Sequence, residues 1–82
     1  MVSTPLSPLK IKSYLNLANA VKTLPKKNIW NFYDVEADVL YINFHQPALV
    51  ADDSELNEDG ILIRYQNNEI VGLTILNVSR YD

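Results

Sequence analysis

Two apolar runs, 61–65 (ILIRY) and 70–75 (IVGLTI), flank Gln66-Asn67-Asn68-Glu69, and this pairing limits the possible folds more than any other feature. Asn tolerates a left-handed backbone, so Asn67-Asn68 suits the two-residue turn of a β-hairpin. Such a turn pairs Tyr65 with Ile70, Arg64 with Val71, Ile63 with Gly72 and Leu62 with Leu73. One face then carries Ile61, Ile63, Tyr65 and Ile70, and the other carries Leu62, Val71, Leu73 and Ile75. A sheet with one wet face alternates apolar and polar residues. This hairpin does not, so both of its faces need a cover. By area scaling, a chain this short buries about 63% of its extended surface, enough for one modest core. It has no cysteine, so neither disulfides nor a structural zinc can supplement that core. A single N-terminal helix can cover one face, so the other needs the acidic loop, the N-terminal arm or another subunit, and any extra stability must come from association. A homodimer is therefore expected, with Leu62, Val71, Leu73 and Ile75 as the candidate interface.

The remaining elements follow from periodicity. Ser7-Pro8 reads as an N-cap and first-turn pair. Ile11, Tyr14, Leu15, Ala18 and Val21 recur at helical spacing, with Leu17 and Leu24 widening the stripe to about half the wheel. Pro25 stops this helix, predicted over 8–23. Strands are predicted at 29–34 (IWNFYD) and 39–44 (VLYINF), joined tightly by Val35-Glu36-Ala37-Asp38. Residues 51–60 (ADDSELNEDG) read as an acidic loop closing on Gly60, which can take the positive φ of a turn. Gly72, inside a strand, marks a bulge or a close backbone approach. The expected fold is α+β: one N-terminal amphipathic helix packed on a four-stranded antiparallel β-meander. The pattern leaves open whether the helix covers its own sheet or a neighbour's. It forms one folded domain, with a Lys-rich arm and helix over 1–28 and an acidic sheet body over 29–82.

Charge changes sign along the chain. Residues 1–27 hold five lysines and no acid; residues 28–82 hold two arginines and ten acids, giving +5 and −8 within a net −3. An acidic body repels phosphate, and the helix carries only Lys12 squarely on its polar face, so nucleic-acid binding is not expected. Trp30, Phe32, Tyr33 and Tyr41 lack interleaved basic residues and read as core or interface aromatics. No apolar stretch approaches the ~18 residues of a membrane span, and two prolines interrupt MVSTPLSPLKIK where a signal peptide needs an apolar core. A cytoplasmic location is expected.

Chemistry-bearing patterns are sparse. Asp34-Val35-Glu36-Ala37-Asp38 opens like a calcium loop, but Val39 and His45 stand where Gly and a carboxylate are required. A start at Asp53 fails likewise, with Glu58 and Arg64 in those places. His45 is the only imidazole, with no serine elbow and no further nitrogen or sulfur ligands. Gly60 and Gly72 stand alone, so no phosphate cradle can form. No catalytic residue, metal site or cofactor is expected.

Three blocks carry a family resemblance: Tyr33-Asp34-Val35-Glu36-Ala37-Asp38-Val39-Leu40-Tyr41-Ile42, then Asp59-Gly60-Ile61-Leu62, then Glu69-Ile70-Val71-Gly72-Leu73-Thr74-Ile75-Leu76. In order and spacing, over about residues 30–80, they resemble a family of small bacterial proteins, domain of unknown function 2283. The matching motif positions are Tyr33, Asp34, Glu36, Ala37, Asp38, Tyr41, Asp59, Gly60, Val71 and Gly72. Where the family commonly continues with an acid, this chain has Asn77, and its Lys-rich helix lies outside the shared core. The resemblance implies a compact α+β domain with no established catalytic residues and no cofactor, antitoxin-like in some members.

The expected function is a non-enzymatic interaction module, homo-oligomeric and able to bind a small basic protein. Two alternatives stand beside it. One is a carboxylate-based enzyme or ligand-binding domain using acids of 34–38 or 52–59. The other is a weak nucleic-acid binder acting through the Lys-rich helix.

Overall fold

A computed structural model describes residues 10–81. The order is α1 (Ile11–Lys22), β1 (Trp30–Asp34), β2 (Val39–Asn43), β3 (Asp53–Leu56), β4 (Ile61–Gln66), β5 (Glu69–Ile75) and a closing 3-10 turn (Val78–Tyr81). The α+β class is as expected. The sheet, however, has five antiparallel strands in the order β1-β2-β5-β4-β3, so it is not a four-stranded meander. The last strand returns between β2 and β4 and joins the first hairpin to the rest. Ser7-Pro8 lies outside the described residues. Lys10, in a left-handed conformation, precedes the helix instead.

The fifth strand is β3, inside the acidic stretch read as a loop. Its residues do not look like a strand, because Asp and Ser disfavour extended pairing. What recruits them is the free edge of β4, against which Asp53, Ser54, Glu55 and Leu56 pair with Tyr65, Arg64, Ile63 and Leu62. The connection is folded by Asn57, whose side-chain oxygen accepts the N–H groups of Asp59 (2.9 Å) and Ile61 (3.0 Å). Gly60 has φ +82°, as its place in the turn demands. Charged residues on an outer strand also discourage pairing with another chain's edge.

Asn67 and Asn68 both have positive φ, 53° and 66°, and close the β4–β5 hairpin as a two-residue turn. Tyr65 pairs with Ile70 as the sequence predicts, but the next pair is Arg64 with Gly72. Val71 is the extra residue of a β-bulge. Beyond it Ile63 faces Leu73, Leu62 faces Thr74 and Ile61 faces Ile75. One residue of slip moves side chains to the opposite face. The front face therefore gathers Ile61, Ile63, Leu73 and Ile75 with Leu40 and Ile42 of β2. The back face gathers Leu62, Arg64, Gly72 and Thr74 with Val39, Tyr41 and Phe32. The two-sided apolar hairpin is thus corrected to one strongly apolar face and one mixed face.

Gly72 answers to both sequence readings: it follows the bulge, and Arg64 lies across it. The Arg64 guanidinium extends over Gly72 to the side-chain oxygen of Asn43 and the Ile42 carbonyl (3.3 Å). A Cβ at position 72 would sit 2.6 Å from Arg64 Cζ and 2.9 Å from the Ile42 carbonyl oxygen.

The expectation that the helix packs on the sheet is not met. None of its residues is buried, and Ile11, Tyr14, Leu15 and Leu17 are exposed, Leu15 at 58%. The connection after α1 takes the helix's place. Leu24, Pro25 and Ile29 line one hollow together with Ile42, Phe44 and Leu73 of the front face. Few side chains are buried as a result: Val71 at 2%, Thr74 at 7% and Val39 at 8%.

The crowding at Gly72 yields a first prediction. Gly72→Ala should destabilise the fold by about 1–3 kcal/mol, the usual cost of overpacking, because one of the atoms it meets is backbone. Urea unfolding should show a lower midpoint at an unchanged slope.

Candidate functional site

The Tyr33–Asp38 motif folds into the β1–β2 connection, where its acids bind backbone. The Asp34 carboxylate accepts the N–H of Ala37 (3.1 Å), fixing the first half of the turn. Asp38 closes it with φ 58°, a left-handed conformation that a short polar side chain tolerates. Its carboxylate accepts the Tyr33 hydroxyl (2.6 Å), the Ser79 N–H (3.0 Å) and the Ser79 hydroxyl (3.0 Å). The Asp38 carbonyl accepts the Val78 N–H (3.0 Å). One residue thus clamps the C-terminal 3-10 turn to the first hairpin, 41 residues away in sequence. The Tyr33 hydroxyl first, and the Ser79 N–H next, hold the Asp38 carboxyl below its ordinary range.

The other motif positions serve the same frame. The Gly60 carbonyl accepts the Leu76 N–H (3.2 Å), and the Tyr81 hydroxyl would lie 3.2 Å from a Cβ at Gly60. Asn77 has φ 52°, and its carbonyl accepts the Arg80 N–H (3.1 Å). Val71 and Gly72 set the bulge. Tyr41 lies on the back face, stacked on Phe32 with ring centroids 6.4 Å apart. Glu36 and Asp59 are exposed in turns.

Among the described residues, two hollows stand out on the surface. The front one, about 340 Å³, is lined by Leu24, Pro25, Lys26, Ile29, Ile42, Phe44, Ile70 and Leu73, with the Lys26 ammonium 5.5 Å from the Phe44 ring centroid. The back one, about 460 Å³, is lined by Phe32, Tyr41, Asn43, Ala48, Arg64 and Thr74. Neither is lined by a carboxylate. Among the described residues no three His, Cys, Asp or Glu side chains are grouped to hold a metal ion. His45 is exposed just past β2. No helix among them is long and apolar enough to cross a membrane.

Of the four candidate interface residues, the structure places Leu62 on the back, leaves Val71 unpaired with β4 and buried in the bulge, and brings together Leu73 and Ile75 on the front face. The same face holds Ile42, Phe44, Ile61, Ile63 and Ile70, which the interface reading left out. The alternation of Leu40, Ile42 and Phe44 within VLYINF was the available signal for the β2 contribution.

The geometry defines a small α+β domain with a five-stranded antiparallel sheet, its motif residues spent on turns, register and a terminal clamp. Residues 30–79 match the family described as protein of unknown function (DUF2283), and the chain belongs to that family. Helix α1 lies outside the matched span. No curated protein and no solved structure matches the chain.

The clamp makes stability depend on pH in a defined direction. Because the folded Asp38 pKa lies below its unfolded value, the stabilisation is complete above the ordinary carboxylate range and fades as pH falls through the lowered folded value. Asp38→Asn should therefore melt below the unsubstituted chain at about pH 6, with the gap closing as pH drops under about 4. Thermal melts followed by circular dichroism across that range provide the check.

Proposed function

We propose that this chain is a non-enzymatic interaction module that acts as a homodimer through the front face of its sheet. The observation that carries the reading is the front face itself. Ile42, Ile61, Ile63, Leu73 and Ile75 share it, yet all are only half-buried and α1 does not cover them. Apolar surface gains about 25 cal/mol per Å² when removed from water. Patches on stable monomers rarely exceed a few hundred Å², and larger ones mark interaction sites. The motif acids support the same reading, since Asp34 and Asp38 are engaged in holding backbone.

Light scattering on the eluting peak should give twice the 9.4 kDa chain mass at micromolar concentration. Leu73→Glu, which puts a charge in the centre of the front face, should shift the peak to the monomer mass. Circular dichroism on that variant should retain the sheet signal, separating lost association from unfolding.

A second reading is favoured by the β3 edge, where Asp52, Asp53, Glu55, Glu58 and Asp59 are all exposed. In a body of net −8, that edge suits a small basic protein. Such binding should weaken steeply as salt rises and the Debye length falls below ~8 Å, which calorimetry at two ionic strengths would register.

A further inference from the structure

We propose that two copies of this chain exchange their α1 helices, each laid over the front face of the other's sheet. This rests on the homodimer reading above and names what covers the face. Both halves of such an interface are present and unused on one chain. Helix α1 exposes Ile11, Tyr14, Leu15 and Leu17, and the front-face residues Ile42, Ile61, Ile63, Leu73 and Ile75 are only half-buried. Twelve residues make a helix about 18 Å long, enough to cross four strands spaced about 4.8 Å apart.

The exit from α1 decides between its own sheet and a neighbour's. At the C-terminus of α1, the Thr23 hydroxyl donates to the Ala20 carbonyl (2.8 Å) and the Leu24 N–H to the Val21 carbonyl (3.0 Å). Lys27 Nζ donates to the Leu24 carbonyl (2.6 Å), and Leu24 and Pro25 are seated on the front face. Folding α1 back onto its own sheet would draw Leu24 and Pro25 away from the front hollow they line. Handing it to a second copy leaves the connection as it stands, and exchange of an identical element is a low-cost route to a dimer.

Charge and area agree with that occupant. The segment bearing α1 carries +5 and the body −8, and Lys12 and Lys22 lie on α1 itself. On β3, Asp53 pairs with Tyr65 and Glu55 with Ile63, so both acids edge the front face beside the apolar patch. One copy's helix therefore brings lysines to the other copy's acids. The chain exposes 6710 Å², whereas a compact protein of its mass exposes about 5,000 Å². The excess, about 1,700 Å² per chain and so about 3,400 Å² for a pair, is of the order of an obligate homodimer interface, about 2,000–5,000 Å² in total.

The chain contains no cysteine, so introduced thiols report without background. The test mixes Leu15→Cys chains with Ile63→Cys chains under mild oxidation, and repeats the mixing with Ala18→Cys and Ile42→Cys. The expected result is a mixed disulfide joining helix of one chain to sheet of the other, at twice the chain mass on a non-reducing gel. The Leu15→Cys/Ile63→Cys double variant should likewise run as a covalent dimer. A double variant that closes internally and runs as a monomer overturns the exchange. So does a chain that weighs as a dimer while only sheet-to-sheet disulfides form, an outcome that leaves the homodimer reading standing. A monomer by light scattering removes both.

Discussion

The bulge at Val71 is the constraint on which the rest of this sheet depends. It inserts a single residue between the Tyr65–Ile70 and Arg64–Gly72 pairs, and every pair beyond it is set by that insertion. Because β5 is the central strand, a change in its register against β4 decides what meets β2 as well. The result concentrates isoleucine and leucine on the front of three adjacent strands. It also turns Gly72 toward the back, where the absence of a side chain lets the Arg64 guanidinium cross β5 and reach Asn43 and the Ile42 carbonyl on β2. A larger residue at 72 would close that route. Bulge and glycine thus act together: one sorts the faces and the other lets a long polar side chain join three strands.

The acids of the first hairpin divide between turn and clamp in a similar way. Asp34 accepts a backbone N–H within its own turn, whereas Asp38 reaches the far end of the chain. A carboxylate receiving a phenol, an amide and a hydroxyl is biased to its charged form. That same commitment makes it a poor proton carrier near neutral pH. A D-x-E-x-D pattern therefore need not signal a cation or an acid–base pair. Here its outer members solve a folding problem, since the short 3-10 turn has no helix length of its own to hold it in place.

Much of this fold was legible because local chemistry fixed it. Asn67-Asn68 could only be a left-handed turn between two apolar runs, Gly60 had the positive φ its turn required, and the stripe from Ile11 to Val21 had a helical period. What escaped was set by partners far off in sequence. Gly72 in IVGLTI marked a bulge or a close approach, but nothing there says that Val71 is the extra residue, because that depends on how β5 pairs with β4. Nothing in ADDSELNEDG announces a strand, because β3 exists to pair the open edge of β4, against the propensity of its own residues. The Tyr33-to-Ser79 clamp was equally hidden, since the last serine of a chain gives no local sign of its partner.

The placement of α1 follows a different logic, that of a surplus. A helix with an apolar stripe is stable only when that stripe is covered, because propensity alone rarely sustains twelve residues in water. The sheet's front face has the matching need, and the connecting Leu24 and Pro25 already occupy the part of it nearest the helix exit. In the proposed pair, these two unmet requirements of opposite charge on one chain have a closed solution: each helix finds a front face and each front face finds a helix. An unfilled face with no helix to answer it would instead favour open-ended stacking. In that proposal, helix α1, outside the family-matched span, is the element that would turn a sticky sheet into a closed pair.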